Sequence, residues 1–173
     1  MPNERRQGGV VLGAEVGLDL LLEALRLFPG ARIELIGERP LAPELAGHRQ
    51  LSLAGGLEGE ELQARLESAA YLIVPAVNGE PLPREVIDGF ANGLAVIAPA
   101  EGAAAELVAP GRNGLLFEPG SARDLARRLA WAEAFPEKMR QMGECARADY
   151  LARFIGDWSY QKLYGERRRT ARL

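Results

Sequence analysis

Thiol and imidazole side chains are almost absent from this sequence. Cys145 is its only cysteine and His48 its only histidine. An internal disulfide is therefore excluded, and the counts argue strongly against zinc sites built from cysteine and histidine and against a catalytic cysteine–histidine pair. His48 stands in a polar stretch and is expected at the surface. We expect no metal site, and a chain suited to a reducing compartment.

Lysine is nearly as scarce, since Lys138 and Lys162 are the only two in the chain. Any phosphate that a side chain holds in the first two-thirds of the chain must therefore be held by arginine. The net charge is −3, which argues against a nucleic-acid partner held by general electrostatic attraction.

The sequence also lacks an apolar run long enough to span a bilayer and a signal-peptide pattern at its start. We therefore expect no transmembrane segment and a cytoplasmic protein, with peripheral association at the inner membrane left open. With 173 residues, 47% of them hydrophobic, the chain suits one globular domain over residues 1–173. We find no internal repeat or linker.

Residues 71–99 are the segment from which we interpret the rest of the chain. An apolar run (71–75) leads into a loop rich in glycine and proline (78–83), and a helical segment (84–92), Gly93 and a second apolar run (94–98) follow. This order predicts two parallel strands joined by a helix. Because ligands bind at the carboxyl ends of strands in open α/β sheets, we expect the site at residues 78–83.

Strands and helices alternate in the remaining sequence. This pattern predicts an α/β fold, a single doubly wound, Rossmann-like domain whose parallel sheet has about six strands with helices on both faces. The predicted strands cover 8–13, 31–36, 51–54, 72–74, 94–98 and 115–117. The predicted helices cover 18–28, 43–47, 58–69, 84–92, 103–108, 122–132, 137–154 and 158–164.

Two acids stand near the predicted site. Glu80 precedes the helix, and Asp88 lies eight residues later, about two turns along it. An acid beside the positively polarised start of a helix can accept hydrogen bonds from the hydroxyls of a sugar or ribose. In the alternative interpretation, Glu80 only caps the helix and Asp88 is a solvated surface residue.

Several motifs, in order, resemble one family. Residues 80–93 (EPLPREVIDGFANG) are similar to an E-x7-E segment, 106–117 (ELVAPGRNGLLF) to "PELV..G.NGLL", 17–24 (GLDLLLEA) to "KGLDLLLEA", and 33–40 (IELIGERP) to "LVIVGDGP". Together they resemble the C-terminal, donor-binding domain of retaining glycosyltransferases with the GT-B fold, of the family 4 or group 1 type. The resemblance runs from about residue 10 to residue 164.

The resemblance implies a nucleotide-sugar site at the carboxyl edge of the sheet. Glu80 would contact the donor sugar as the catalytic residue, and Asp88 would hold the ribose hydroxyls. The backbone at Gly102 and Ala103 would bind the diphosphate. The donor would be of the UDP or GDP type, without a cofactor or metal, and the sugar would be transferred with retention.

The resemblance also implies that two further loops border the nucleobase. They are residues 37–39, which include Glu38 and Arg39, and residues 55–57, which include Gly56. These positions follow the second and third predicted strands.

The sequence departs from the family pattern at the phosphate site. The family has Arg and Lys after the first strand, but Val16 stands at the lysine position and the arginine is absent. Arg39, Arg84 and Arg112 are candidates to compensate, and Arg84, near the helix start, is the first choice. Two smaller departures are an aspartate at position 88, where glutamate is usual, and Ala103, where a second glycine is usual.

GT-B enzymes bind the acceptor on an N-terminal domain, which the 173 residues do not contain. Either that domain or a partner subunit supplies the acceptor site, or the chain is a donor-like module without catalysis, used for binding or regulation. Trp158, Tyr160 and Tyr164 would then form a docking face, or they simply complete the core. A dinucleotide-binding domain is disfavoured because Gly9, Gly13 and Gly17 do not form G-x-G-x-x-G.

Overall fold

Strands and helices alternate along the chain in the order that the sequence predicts. The computed structural model describes residues 6–13, 16–37, 48–77, 79 and 83–155. Within them, the strands are β1 (Gly9–Leu12), β2 (Ile33–Ile36), β3 (Leu51–Ala54), β4 (Tyr71–Ile73), β5 (Ala95–Pro99) and β6 (Gly114–Phe117). The helices are α1 (Leu18–Leu27), α2 (Gly59–Ser68), α3 (Arg84–Ala91), α4 (Gly102–Leu107), α5 (Ala122–Ala134) and α6 (Pro136–Tyr150).

The six strands form one parallel sheet in the order β3-β2-β1-β4-β5-β6. The chain first adds strands on one side of β1 and then returns to add β4, β5 and β6 on the other. The strand order therefore reverses between β1 and β4, and a crevice forms there outside the carboxyl ends of the strands. The predicted doubly wound sheet is confirmed.

Helices cover both faces of the sheet, which explains why the central strands read as continuous apolar runs. Successive residues of β5 point to opposite faces: Ala95 and Ile97 belong to one core cluster and Val96 and Ala98 to the other. The first cluster includes residues of α1 and α5, and the second includes residues of α2, α3 and α4. The edge strand β3 is less covered, since its Leu53 is exposed.

Some predicted boundaries differ from the structure. The helix predicted over 137–154 is α6, which begins at Pro136 and ends at Tyr150, and a π-helical turn (Leu151–Ile155) follows it. Pro136 can start the helix because the first helical position needs no N–H donor. In the turn at 110–114 we expected several residues with positive φ, but only Gly111 has one. The helices predicted at 43–47 and 158–164 lie outside the described residues.

The C-terminal end of α3 is closed by a Schellman motif. Gly93 adopts φ 68°, a left-handed conformation that favours glycine. The backbone N–H of Leu94 donates to the carbonyl of Gly89 at 2.9 Å, and the N–H of Gly93 donates to the carbonyl of Phe90 at 3.1 Å. These two bonds fix the turn from α3 into β5.

Helix α6 packs closely on the same end of α3. A Cβ added at Gly143 would lie 2.2 Å from the carbonyl oxygen of Gly93, so only glycine fits at this contact. The guanidinium of Arg147 donates to the carbonyl of Ala91, and that of Arg6 donates to the carbonyl of Gly93 at 3.1 Å. The carbonyls at this helix end thus gain donors, and α3 is held in place on the sheet.

The buried side chain of Asn113 fixes the turn before β6. Its Oδ1 accepts from the N–H of Ala109 at 2.8 Å, and its Nδ2 donates to the carbonyl of Leu107 and to the carboxylate of Asp149 on α6. Arg112 pairs with the same carboxylate at 2.5 Å. The pairing lowers the pKa of Asp149, with the Arg112 hydrogen bond as the main cause. The asparagine of the "G.NGLL" motif therefore has a structural role here.

Candidate functional site

A cavity of about 440 Å³ lies at the switch point, outside the carboxyl ends of β1 and β4. We call it the switch-point cavity. The loops after β1 and β4 and the starts of α3 and α4 converge on it. Its described lining residues are Leu12, Gly13, Val16, Ile73, Val74, Pro75, Ala76, Val77, Gly79, Pro83, Glu85, Gly102, Ala103 and Ala104.

The start of α1 approaches the loop after β4 closely. Gly17, which caps α1, has φ 85°. A Cβ at this position would lie 2.8 Å from the Cβ of Pro75 and 2.9 Å from the backbone N of Ala76. Both the backbone conformation and the space therefore require glycine. This contact shapes one wall of the cavity.

The start of α4 forms another wall. Gly102, the first residue of α4, adopts φ 61°, and the preceding Glu101 makes no side-chain capping hydrogen bond. The first N–H groups of a helix have no partner within the helix and lie at its positively polarised end. Gly102 and Ala103 both line the cavity, and their contact with a diphosphate stays a prediction.

The start of α3 carries the only charged side chain among the described lining residues, that of Glu85. Pro83 caps this helix and is buried. We did not identify Glu85 from the sequence, because an acid in the first turn of a helix is common for its favourable interaction with the helix dipole. Its position beside the 78–83 loop was the available signal.

Asp88 lies one turn beyond Glu85, exposed on α3, and it is not among the residues that line the cavity. The pKa of its carboxyl is raised, first because surrounding protein atoms desolvate it and then because Glu85 repels its charge. Arg84 acts in the opposite direction. Glu80 lies outside the described residues, so the pairing of Glu80 with Asp88 stays a prediction.

The other predicted site residues are scattered. Arg84 is exposed beside Asp88 rather than in the cavity lining, and Gly56 is exposed after β3. β3 is separated from the switch point by β2 and β1, which explains the position of Gly56. Arg112, a candidate to compensate for the missing cations, is paired with Asp149. Glu38 and Arg39 lie outside the described residues.

The described part of the lining contains no lysine or arginine. Val16, at the position where the family pattern has a lysine, borders the cavity with 44% of its surface exposed. Side-chain recognition of an anion is therefore weak on this wall. On the wall at the start of α4, the first backbone N–H groups of the helix can donate to an anion.

Metal-binding clusters and membrane-spanning helices are both missing from the part of the chain that the structure describes. There, no group of three or more His, Cys, Asp or Glu side chains could hold a metal ion. None of the described helices combines the length and the apolar character that crossing a bilayer requires.

Known proteins resemble this chain in sequence. The family model for glycosyl transferases group 1 matches residues 11–149. Sulfoquinovosyl transferase SQD2 of Arabidopsis thaliana is 28% identical over 144 residues, which cover 80% of this chain and 28% of that protein. The chain thus spans less than a third of this relative's length.

Solved structures share the fold. Sucrose-phosphate synthase from Thermosynechococcus elongatus matches with a TM-score of 0.73 at 23% identity, over 95% of this chain and 47% of that one. Anabaena HepE, in complex with UDP-glucose, matches with a TM-score of 0.74 at 20% identity, over 92% of this chain and 49% of that one. This chain thus spans about half the length of each of these two proteins. Because the family model matches most of the residues, this chain belongs to the glycosyl transferases group 1 family.

Proposed function

We propose that this chain is the donor-binding domain of a retaining glycosyltransferase and binds a UDP- or GDP-sugar in the switch-point cavity. The observation that carries the proposal is the convergence of four segments on that cavity at the carboxyl edge of the sheet. Its volume of about 440 Å³ suits a small ligand. Family membership and the UDP-glucose complex of Anabaena HepE support this choice of ligand.

The donor's diphosphate would bind at the start of α4. Gly102 and Ala103 line the cavity there, and the first N–H groups of a helix are free to donate to phosphate oxygens. Gly102 adds a second advantage, because no atom beyond its chain neighbours and its own helix backbone lies within 4 Å of the place where a Cβ would stand. A phosphate can therefore approach the backbone closely.

The sugar and ribose would face the loop before α3 and the helix itself. Glu80 is the proposed catalytic residue that contacts the donor sugar, and Asp88 the proposed acceptor for the ribose hydroxyls. The nucleobase would extend toward Glu38, Arg39 and Gly56. No resident metal or cofactor forms part of the proposal.

The acceptor would bind on residues outside this chain, because the chain spans about half the length of sucrose-phosphate synthase and of Anabaena HepE. Transfer would take place between the two parts, on the cytoplasmic side or at the periphery of the inner membrane. The isolated chain should therefore bind a donor without transferring its sugar.

Calorimetry with UDP-glucose and GDP-mannose tests the proposal. We expect one of them to bind at a single site, with the free nucleoside diphosphate competing for it. Absence of binding by any UDP- or GDP-sugar at millimolar concentration would contradict the donor-domain function.

One observation favours a second candidate, a donor-like module that binds without catalysis. Val16 lines the cavity at the position where the family pattern has a phosphate-binding lysine, and stabilisation of a leaving group by fixed charge is usually a large contribution to such catalysis. The two candidates differ in one measurement. Transfer by a chain that joins this domain to an acceptor domain supports the enzyme, whereas binding without transfer supports the module.

A further inference from the structure

A second cleft lies at the opposite, amino edge of the sheet. It has a volume of about 420 Å³ and is formed by the starts of β1, β2 and β3 together with the last turn of α2. We call it the amino-edge cleft. Its charged lining residues are Arg32, Glu34, Arg49 and Arg65.

The register of the sheet explains why this cleft is polar. Val10 of β1 stands opposite Glu34 of β2, and Glu34 stands opposite Ser52 of β3. These three residues share the face that α2 covers, where Val10 joins the core cluster. On this face, β1 therefore presents an apolar side chain near the amino edge, whereas β2 and β3 present a carboxylate and a hydroxyl to the cleft.

Arg65 and Glu34 form the fixed wall of the cleft. Arg65, on α2, donates to Glu34 Oε1 at 2.9 Å. The side chain of Arg65 is still 53% exposed, so part of its guanidinium fork faces solvent. This pair orients Arg65 before any ligand arrives, which lowers the conformational entropy that binding would cost.

Two further guanidinium groups border the same space. Arg32 immediately precedes β2, and Arg49 lies two residues before β3. Both are exposed, and neither forms an ion pair with another residue that the structure describes. Three arginines against one glutamate give the lining a charge of +2, opposite in sign to the −3 of the whole chain.

We propose that the amino-edge cleft binds an acidic sugar, a small anion that carries hydroxyl groups and a phosphate or carboxylate group. The arginine fork matches both groups bidentately. Ser52 and Gln50 line the cleft and provide partners for hydroxyls. The Nε2 of Gln50 donates to the carbonyl of Leu25 at 3.3 Å, which leaves its carbonyl oxygen to accept a ligand hydroxyl.

This site is separate from the switch-point cavity. The two are at opposite ends of β1, whose four residues span about 13 Å, and they have no lining residue in common. Both can therefore be occupied at the same time. The proposal does not depend on the donor-domain function.

Titrations followed by NMR of the isotope-labelled chain test the proposal. The probes are inorganic phosphate, glucose 6-phosphate and glucuronate, with glucose as the neutral control. We expect shifts in Arg49, Gln50 and Ser52 with the anionic probes only, and tighter binding of the two sugars that carry an anionic group than of phosphate. Comparison of the affinities for glucose 6-phosphate and for glucuronate then shows whether the cleft prefers phosphate or carboxylate.

The double variant Arg32→Ala, Arg49→Ala should weaken this binding by about tenfold or more, since hydrogen bonds to charged groups are among the strongest. The matched control is Arg123→Ala, Arg127→Ala, which removes the same charge from exposed positions on α5. Equal loss in both variants, displacement of the anion by UDP, or no binding at millimolar concentration would overturn the proposal.

Discussion

The two edges of one sheet differ in how they can attract a ligand. At the carboxyl edge, the described lining of the switch-point cavity is largely apolar and carries one charged side chain, Glu85. At the amino edge, the cleft carries Arg32, Arg49 and Arg65 against Glu34. The cations thus lie at the edge where open α/β folds do not usually bind their ligand.

This difference shows that the position of a cavity in the fold and the charge of its lining are independent indications of where an anion binds. The switch point places a cavity at the carboxyl edge whatever its side chains, because strand order alone creates the crevice. Recognition of an anion in that cavity depends on backbone N–H groups such as those of Gly102 and Ala103. In the amino-edge cleft, by contrast, it depends on side chains. Variants should therefore separate the two sites.

The largest effect is expected from Gly17→Val, which should destroy only the switch-point cavity. The added side chain would meet Pro75 and Ala76 at less than 3 Å, and the residue would need φ 85°. We expect a loss of about 1–3 kcal/mol in stability from the backbone strain and a loss of nucleotide binding. The measurements are denaturant unfolding and calorimetry with UDP.

Gly120→Val is the matched control for this variant. Gly120 has φ 75°, but no atom beyond its immediate neighbours lies within 4 Å of the place where a Cβ would stand, and the residue is not in the cavity lining. It should lose stability and keep nucleotide binding. The comparison fails if Gly17→Val still binds UDP like the unsubstituted chain, or if it also loses phosphate binding at the amino edge while remaining folded.

A smaller effect is expected from Glu85→Gln, which removes the negative charge from the described lining of the cavity. A carboxylate beside a diphosphate is repulsive, so the affinity for UDP should rise by about threefold to tenfold. In the unsubstituted chain the affinity should increase with salt, because salt screens the repulsion. Calorimetry at two ionic strengths measures both effects, and uridine should respond to neither.

Glu61→Gln, at an exposed position on α2, is the control for this substitution, because it changes the net charge by the same amount away from the cavity. It should leave the affinity for UDP unchanged. Weaker UDP binding in Glu85→Gln would mean that this carboxylate accepts ligand hydroxyls instead of repelling phosphate.

The smallest effect concerns Asp88. Its pKa is raised in the folded protein, so the folded state holds the proton more tightly than the unfolded state. Stability should therefore fall as pH rises from the ordinary pKa of aspartate through the raised folded value, and the charged carboxylate is slightly unfavourable at neutral pH. The free energy of unfolding of Asp88→Asn, measured with denaturant across this pH range, should depend less on pH than that of the unsubstituted chain.

Glu85→Gln tests the cause of this pH dependence, because repulsion by Glu85 is the second cause of the raised Asp88 pKa. In that variant the pH dependence should shrink without disappearing, since desolvation remains. An unchanged pH profile in Asp88→Asn would show that another group is responsible.

The fold could be predicted from the sequence because its signals are local. Apolar runs such as 94–98 and helix ends such as Gly93 define strands and helices without knowledge of the tertiary structure. The position of the switch point follows from strand order. Gly102 and Ala103 were named from the resemblance and line the cavity there, and their contact with a diphosphate stays a prediction.

The amino-edge cleft could not be predicted in the same way. Glu34 and Ser52 become neighbours only through the register of β2 with β3, and Arg65 reaches them from a helix thirty-one positions later in the chain than Glu34. Spacing in the sequence does not define such contacts. Gly56 was named from the resemblance. It follows β3, two strands away from the switch point, and its place beside the nucleobase stays a prediction.

The most direct test of the account is an NMR map of UDP binding to the isotope-labelled chain. We predict shifts concentrated at Gly13, Val16, Gly102 and Ala103, in the lining of the switch-point cavity, with Arg49, Gln50 and Ser52 unchanged. Shifts that cluster at the amino-edge residues, with none at Gly102 and Ala103, would contradict the claim that the carboxyl edge is the nucleotide site.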